Sequence, residues 1–459
     1  MPHTAKDALP AADRHASPER RLEALATLAE AAIASARRHG ADAAELTVNE
    51  DRGLAVNVRN GEVETVEHTR DRGLAITVYV GQRRGSASTA DLLPASLEAT
   101  IAQAVAIARF TEDDPAAGLA DPDLMARELR DFDGWHPWDI DAQRAIALGV
   151  ACEAAGRGAD ARITNSEGAA VNTGESLSVY ANSHGFIGPE RGTHHAISAS
   201  FIAGSGEAMQ REDWYTTGLS PADLEDPEAV GRRAAERAVA RLAPRPVKTG
   251  TYPVLFSAEM ARSLVGHLLG AVSGGAQYRR SSFLLGAAGE RLFPAWMQIV
   301  EQPHLMRGLR STSFDGDGVA TRESALVRDG VLERYLLSAY SARRLGLQTT
   351  GNAGGTHNLE VARGPHTLAE LARGMGTGLL VTELMGQGVN AVTGDYSRGA
   401  AGFWVEGGEI AWPVQEATIA GHLRQMFLAI EAVGSEFDRR SSTRIGPVLV
   451  GAMTVAGAG

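Results

Sequence analysis

Residues 382–410 read TELMGQGVNAVTGDYSRGAAGFWVEGGEI, and this stretch indicates the fold more strongly than any other. Glycine recurs in it at Gly386, Gly388, Gly394, Gly399 and Gly402, ahead of a turn at Gly407 and Gly408. Glycine is unfavourable inside regular elements and is used where the backbone needs a positive φ or where another segment approaches closely. The stretch therefore predicts a glycine-punctuated strand region, suited to gripping an extended peptide or another subunit.

Outward from this stretch, the hydrophobic period changes along the chain. Apolar residues recur at helical spacing over 18–39, and four short segments at 44–48, 54–58, 63–68 and 74–80 alternate with a period of two. Asn60-Gly61 lies between two of these predicted strands and favours a hairpin turn. With a further helix over 93–109, the sequence predicts an α+β fold. An N-terminal sheet-plus-helices domain is followed by a largely antiparallel, β-rich C-terminal domain.

A chain of 459 residues is too long for one compact core, so we expect two or three domains. We place a flexible leader at 1–20, an N-terminal α+β domain at 21–120, a middle β-rich segment with flanking helices at 121–245, and the C-terminal β-rich domain at 246–459. The Asp- and Pro-rich stretch 112–123 and Pro244-Arg245-Pro246 mark the boundaries. Within the last domain, helices are predicted at 258–272 and 420–433.

Charge and cysteine content restrict the class of function. The net charge of −12, without any basic tract, argues against binding of DNA or RNA, because such proteins neutralise phosphates with Lys and Arg. Cys152 is the only cysteine, so no internal disulfide and no multi-cysteine zinc site can form. The chain shows neither the apolar core of a signal peptide nor an apolar run of membrane-spanning length. We expect a soluble, cytoplasmic protein without a membrane or nucleic-acid partner.

Thirteen histidines raise the question of a metal site. His194 and His195 are adjacent, so in a strand their side chains point to opposite faces and do not easily share one ion. His184 and His357 lie in Gly/Asn-rich turns, where a solvated histidine is expected. His267 lies on the predicted helix 258–272, but a zinc helix such as H-E-x-x-H needs a second histidine one turn away, and none is present. A packing role is favoured for His267.

Other catalytic patterns are incomplete as well. The sequence lacks G-x-S-x-G and therefore a serine nucleophile on an elbow turn. Cys152 falls in an Ala-rich amphipathic helix, which favours a buried thiol over a nucleophile. The Gly-rich runs 351–355 and 374–378 lack the lysine and the strand-loop-helix context of a phosphate loop, so we interpret them as turns. The residues alone show no complete catalytic site.

Several separate motifs, in order along the chain, nevertheless resemble one family. They are GEVE at 61–64, GSAST at 85–89, RITNSEG at 162–168, YRRSSFL at 278–284, GNAGG at 351–355, and the 382–410 stretch through GFWV at 402–405. The resemblance covers nearly all of the chain after residue 20. The sequence is similar to the TldD/PmbA metalloprotease family, and specifically to its PmbA branch, also called TldE.

The resemblance implies a cytoplasmic two-chain metalloprotease that hydrolyses small or unfolded peptides. In this family a TldD-type subunit holds zinc with H-E-x-x-x-H on a helix and with a later cysteine. Aligned with that helix, the present chain has Gly266 at the first histidine, His267 at the glutamate and Ala271 at the second histidine, and the cysteine is missing too. The resemblance thus implies no catalytic residue, metal or cofactor in this chain, and zinc in a TldD-type partner.

The resemblance further implies that the two subunits enclose a cavity. We expect peptide to be held there by main-chain hydrogen bonds along an exposed strand. The alternative is that the glycines only permit tight turns in a β-rich core. Whether the chain forms a homodimer without its partner is left open. The residues expected to line the cavity or the subunit interface are Gly386, Gly388, Asn390, Asp395, Tyr396, Ser397 and Arg398.

Two other functions stay open at the level of sequence. One is a regulatory or scaffold protein without a proteolytic role. The other is a stand-alone peptidase whose metal site combines His267 with distant residues. The favoured hypothesis is the non-zinc subunit of a peptide-hydrolysing heterodimer, inactive by itself.

Overall fold

The computed structural model describes residues 17–457. Helix α1 (Pro18–Arg38) begins after Ser17, whose side chain accepts a hydrogen bond from the Arg20 N–H and caps the helix. Most of the predicted leader 1–20 lies outside the described residues, and its last three residues belong to α1. None of the helices in residues 17–457 combines the length and the hydropathy needed to cross a membrane.

Residues 17–240 contain six strands and four α-helices. After α1 the elements are β1 (Ala43–Arg59), β2 (Glu62–Val80), β3 (Arg83–Thr89), α2 (Pro94–Phe110), α3 (Ala142–Arg157), β4 (Ile163–Asn182), β5 (Ile187–Ala203), β6 (Gln210–Gly218) and α4 (Pro227–Ala240). The strands form one antiparallel sheet in the order β3-β2-β1-β4-β5-β6.

The four short strands predicted near the N-terminus are two long ones, β1 and β2. The polar residues in the middle of each strand remain paired with the neighbouring strands of the sheet. Gly53, for example, pairs with Thr69 of β2 and with Gly174 of β4. Buried Glu50 is compensated by Arg21 at 3.0 Å and Arg52 at 2.7 Å, which explains how a charged segment continues the strand. The Asn60-Gly61 hairpin is confirmed, with positive φ at both residues.

One face of this long sheet is covered by two pairs of helices. Leu46 and Val48 pack under α1 and α2, while Leu54, Val56 and Val58 pack under α3 and α4. These residues share a face because side chains alternate along β1. Removing each such side chain from water stabilises the fold by roughly 1.5–3 kcal/mol. On the opposite face, Thr47, Ser176 and Ser178 face loops of the C-terminal half across a cavity.

The C-terminal half contains two sheets and several short helices. Its elements are β7 (Gly250–Phe256), α5 (Ala258–Ala271), α6 (Gly274–Tyr278), β8 (Ile299–Glu301), β9 (Ser324–Arg328), β10 (Val331–Leu332), α7 (Ala339–Leu345), β11 (Leu359–Val361), α8 (Leu368–Met375), β12 (Gly378–Met385), β13 (Asp395–Glu406), β14 (Glu409–His422), α9 (Leu423–Leu428), β15 (Ile430–Val433), β16 (Thr443–Arg444) and β17 (Val448–Ala456).

The larger C-terminal sheet has the order β14-β13-β12-β7-β17-β15, and a further pairing of β14 with β17 closes it on itself. The smaller sheet has the order β10-β9-β8-β11-β16. Within the described residues the parallel pairings are β7 with β12 and β11 with β16, and the others are antiparallel. The predicted α+β fold with a largely antiparallel C-terminal domain is confirmed.

Two segment limits predicted from the sequence differ from the positions of the strands and helices. Because β1 pairs with β4, the boundary placed at residue 120 separates two segments, 21–120 and 121–245, that share one sheet. The domain limits themselves remain a prediction. The helix predicted over 420–433 is wrong: only α9 is helical, and β14 and β15 flank it because both pair with β17.

Candidate functional site

Helix α5 carries the positions that the family resemblance singled out. Ser257 caps it by accepting a hydrogen bond from the Met260 N–H. Ala271 is buried against the core, whereas Gly266 and Gly270 are exposed, and a Cβ added at either glycine would meet no atom within 4 Å. We call Gly266, His267 and Gly270 the α5 glycine face. They lie together because residues three and four apart share one side of a helix.

The imidazole of His267, within this face, has no polar partner among the described residues. Its Nε2 atom is buried and has no hydrogen bond in the described part of the chain. Its ring packs edge-on against Tyr396 of β13, with 5.8 Å between ring centroids. Burial lowers the pKa of His267, and the positive charge of Arg398 lowers it further. The imidazole is therefore held neutral.

The donor set of α5 does not fit a zinc site. Glycine and alanine offer no ligand atom at two of the three positions, and Ala271 points into the core. Within residues 17–457, no group of three or more His, Cys, Asp or Glu side chains is arranged to hold a metal ion. Elsewhere, His194 is exposed and the adjacent His195 is buried, as their alternation predicted. Burial raises the pKa of the Cys152 thiol to about 12, which fits the predicted buried cysteine.

The predicted cavity residues fall into two groups. Tyr396 is 1 % exposed and Arg398 is half-buried, and both lie beside His267. Buried polar atoms remain unpaired there, since neither the Tyr396 hydroxyl nor Arg398 Nε has a partner among the described residues. The remaining predicted residues are exposed on the loop 386–394 or at the start of β13: Gly386, Gly388, Asn390, Asp395 and Ser397.

The loop 386–394 is shaped by its own hydrogen bonds. The Asn390 side-chain oxygen accepts from the N–H groups of Val392 and Thr393, and the Asp395 carboxylate accepts from the Thr393 hydroxyl at 2.6 Å. A Cβ at Gly388 would lie 1.9 Å from the Ser397 carbonyl oxygen. This glycine therefore serves a close approach within the chain, which is the alternative that the sequence left open.

The start of β13 does not offer an exposed strand edge. Residues 395–398 pair with β14 on one side. On the other side the Ser397 N–H donates to the Gly388 carbonyl at 2.6 Å, and the Asn390 N–H donates to the Asp395 carbonyl at 2.9 Å. The expectation that peptide adds as a strand along this segment is wrong, because its own chain occupies both edges.

A polar cluster that the sequence did not indicate surrounds Glu301 at the end of β8. This carboxylate is 2 % exposed and accepts hydrogen bonds from the backbone N–H and Nδ1 of His357, from the Asn352 amide and from Arg334. Burial raises its pKa, but the bonds from His357 and the charge of Arg334 outweigh burial and bring the pKa to about 2. Glu301 is therefore ionised and fully partnered.

His357 is thus not the solvated turn histidine that we expected. It is 8 % exposed, and Glu301 fixes its Nδ1 at 2.9 Å. The sequence offered one signal for this contact, the run Gly351–Gly355 shortly before His357. Asn352 of that run is buried, and a buried polar side chain needs a hydrogen-bond partner, which here is Glu301. Glu301 itself could not be recognised from the sequence, because β8 has only three residues and shows no characteristic spacing of polar and apolar residues.

His357 lines a cavity of about 480 Å³ between the polar face of the N-terminal sheet and the C-terminal loops. Two carboxyl groups in this wall have raised pKa values. Burial and the neighbouring Asp317 raise the pKa of Asp315 to about 6. Burial raises the pKa of Glu190, although its side chain is open to the cavity and accepts a hydrogen bond from Thr312.

Comparison with known proteins decides the family. Residues 44–108, 135–242 and 249–457 match the first, central and C-terminal domains described for the PmbA/TldA metallopeptidases. The chain is 47% identical to metalloprotease PmbA of Escherichia coli O157:H7 over 91% of its own length and 92% of the relative.

This chain belongs to the TldD/PmbA metallopeptidase family. A PmbA homologue of Haemophilus influenzae is 43% identical over 93% of this chain and 94% of its own length, which agrees with the PmbA branch.

Solved structures share the fold. A proposed modulator of DNA gyrase from Bacteroides thetaiotaomicron superposes with a TM-score of 0.90 at 27% identity, covering 94% of this chain and 98% of that one. TldE from Thermococcus kodakarensis gives a TM-score of 0.82 at 20% identity, with 94% and 100% coverage.

Proposed function

We propose that this chain is the non-zinc subunit of a cytoplasmic two-chain metalloprotease that hydrolyses small or unfolded peptides. The observation that carries the proposal is the composition of α5. At the three positions of H-E-x-x-x-H it has Gly266, His267 and Ala271, so one neutral imidazole stands where two histidines and a catalytic glutamate would be needed. A TldD-type subunit would supply the zinc, and relatives named metalloprotease support peptide hydrolysis as the reaction class.

The α5 glycine face suggests what this chain contributes to such a complex. Without side chains at Gly266 and Gly270, a peptide or a partner element can approach the helix backbone closely. The face adjoins Tyr396 and Arg398, which link it to the loop 386–394. We propose that these two elements together shape the enclosed cavity or the subunit interface.

The proposal is tested by co-expression with a TldD-type chain that carries H-E-x-x-x-H. The purified pair should hydrolyse an unstructured peptide such as casein fragments, a chelator should abolish the activity, and neither chain alone should be active. A matched control is the same pair with the partner's catalytic glutamate replaced by glutamine. Hydrolysis at an undiminished rate when the present chain is left out would overturn the proposal.

Two alternatives make different predictions. A regulatory or scaffold protein would bind partners, but the pair would show no zinc-dependent hydrolysis. A stand-alone peptidase would bind metal by itself, so a metal content of the pure chain below about a tenth of an equivalent would exclude it.

A further inference from the structure

Two adjoining cavities lead from helix α5 into the space between the two halves of the molecule. The first is the cavity of about 480 Å³ described above, and the second, of about 430 Å³, reaches Leu269 and Ser273 at the end of α5. They share a wall made by Arg310, Gly354, Gly355 and Thr356. Both volumes fall in the range of small-molecule sites.

Arg310 and Glu190 line the first cavity, carry opposite charges and have no ion-pair partner among the described residues. Asp315, the other carboxyl group in this wall, is buried and already accepts hydrogen bonds from backbone N–H groups. The Arg310 guanidinium is exposed and makes no hydrogen bond or ion pair within residues 17–457. Glu190 accepts a hydrogen bond from Thr312, but no cationic group of the described chain lies within ion-pair distance of it. The other arginine in this wall, Arg191, already pairs with Glu19 and Asp131. Arg310 and Glu190 are therefore free to bind charges of a ligand.

The wall of this cavity also offers uncharged hydrogen-bonding groups. Glu301 holds His357 through Nδ1, which leaves Nε2 as the ring nitrogen that can hydrogen-bond into the cavity. Ser176 and Ser178 of β4 contribute hydroxyl groups from the sheet. A ligand of this cavity can thus form hydrogen bonds along its length as well as ion pairs at its ends.

We propose that this cavity binds short zwitterionic peptides, with Arg310 binding the α-carboxylate and Glu190 binding the α-ammonium group. Hydrolysis of a peptide bond creates one new amine and one new carboxylate, so two- or three-residue products carry both charges. As a product site the cavity rests on the proposed function. Binding itself is a property of this chain and requires neither zinc nor a partner, so the two proposals can fail separately.

The test is calorimetric titration of the purified full-length chain with trialanine, N-acetyl-trialanine and trialanine amide. Trialanine should bind saturably, and blocking either end should weaken binding about tenfold or more, because each block removes one charge-assisted contact. The absence of saturable binding by trialanine, or equal binding of all three peptides, would overturn the proposal.

Two variants assign the ends. Arg310→Gln should weaken trialanine binding and remove the difference between trialanine and its amide. Glu190→Gln should remove the difference between trialanine and its acetylated form. Arg328→Gln and Glu64→Gln are matched controls on exposed side chains outside the cavity, and thermal unfolding checks that every variant is folded. If folded Arg310→Gln and Glu190→Gln chains bind all three peptides like the unsubstituted chain, the proposal is wrong.

Discussion

The α5 glycine face and the Glu301 cluster, both in the C-terminal half, differ in how their buried polar atoms are hydrogen-bonded. On α5, His267 has an Nε2 atom without a partner and two neighbours without side chains. Around β8, Glu301 receives hydrogen bonds from His357, Asn352 and Arg334. His267, at a position that the family uses for catalysis, has an unpaired ring nitrogen here, whereas His357, in a loop, is hydrogen-bonded to a buried carboxylate. The Glu301 cluster is paired within the chain, whereas the α5 glycine face leaves open space beside an unpaired imidazole nitrogen, which fits the contact with a peptide or a partner subunit proposed above.

The largest loss of stability should follow from removing the charge at the centre of the Glu301 cluster. Glu301→Gln leaves Arg334 and His357 without their buried anion, so we expect the free energy of unfolding to fall by about 3–5 kcal/mol at pH 7. Glu333→Gln, which removes an exposed carboxylate directly before Arg334 in the sequence, is the matched control. Chemical denaturation measures both. A loss below about 1 kcal/mol for Glu301→Gln would show that the cluster is not a stabilising unit.

The same variant makes a pH prediction. The folded-state pKa of Glu301, about 2, lies below its ordinary value of 4.5, so its contribution is present above pH 4.5 and is lost as the pH falls through 2. The stability difference between the unsubstituted chain and Glu301→Gln should therefore shrink across that window. A difference that stays constant would contradict the assigned ionisation.

A second prediction concerns the α5 glycine face, which a bulky side chain should block. Gly266→Trp adds a large side chain where an added Cβ meets nothing, so the fold should tolerate it, and helix propensity improves by about 0.5 kcal/mol. Peptide hydrolysis by the two-chain complex should nevertheless fall more than about tenfold, because the face is blocked. Gly374→Trp, at an equally open position on α8, should leave activity unchanged. Equal activities of the two variants would remove the α5 glycine face from the site.

A smaller effect is expected at the border of the face. Arg398→Gln removes a half-buried cation beside His267 and should lower peptide hydrolysis or subunit pairing by roughly three- to tenfold. Asp395→Asn should act in the same direction. The zinc content of the complex, measured by mass spectrometry, should not change in either variant. Loss of zinc would place these residues at the metal instead.

The smallest effect should follow from His267→Gln. Since this imidazole has no hydrogen-bond partner in the described chain, its loss should change stability by less than about 1 kcal/mol and leave zinc content intact. A variant that loses zinc from the complex would revive a metal role for His267.

The sequence predicted local features well and long-range polar contacts poorly. The limits of α1 and α2 followed from apolar periodicity, and Asn60-Gly61 marked its hairpin, because these signals lie within a few residues. The Glu301–His357 contact joins residues 56 positions apart, so nothing local indicates it. The glycines at 386–402 were recognised as sites of close approach, but the segment that approaches Gly388 is the chain's own β13. A glycine pattern shows that space is needed without showing for which neighbour.

The most direct test of the account is the zinc content of this chain alone and of its complex with a TldD-type subunit, measured on the same preparations as peptide hydrolysis. We predict background zinc and no hydrolysis for the chain alone, and about one zinc per pair with chelator-sensitive hydrolysis for the complex. About one equivalent of zinc bound to this chain alone, together with hydrolysis by it, would contradict the account.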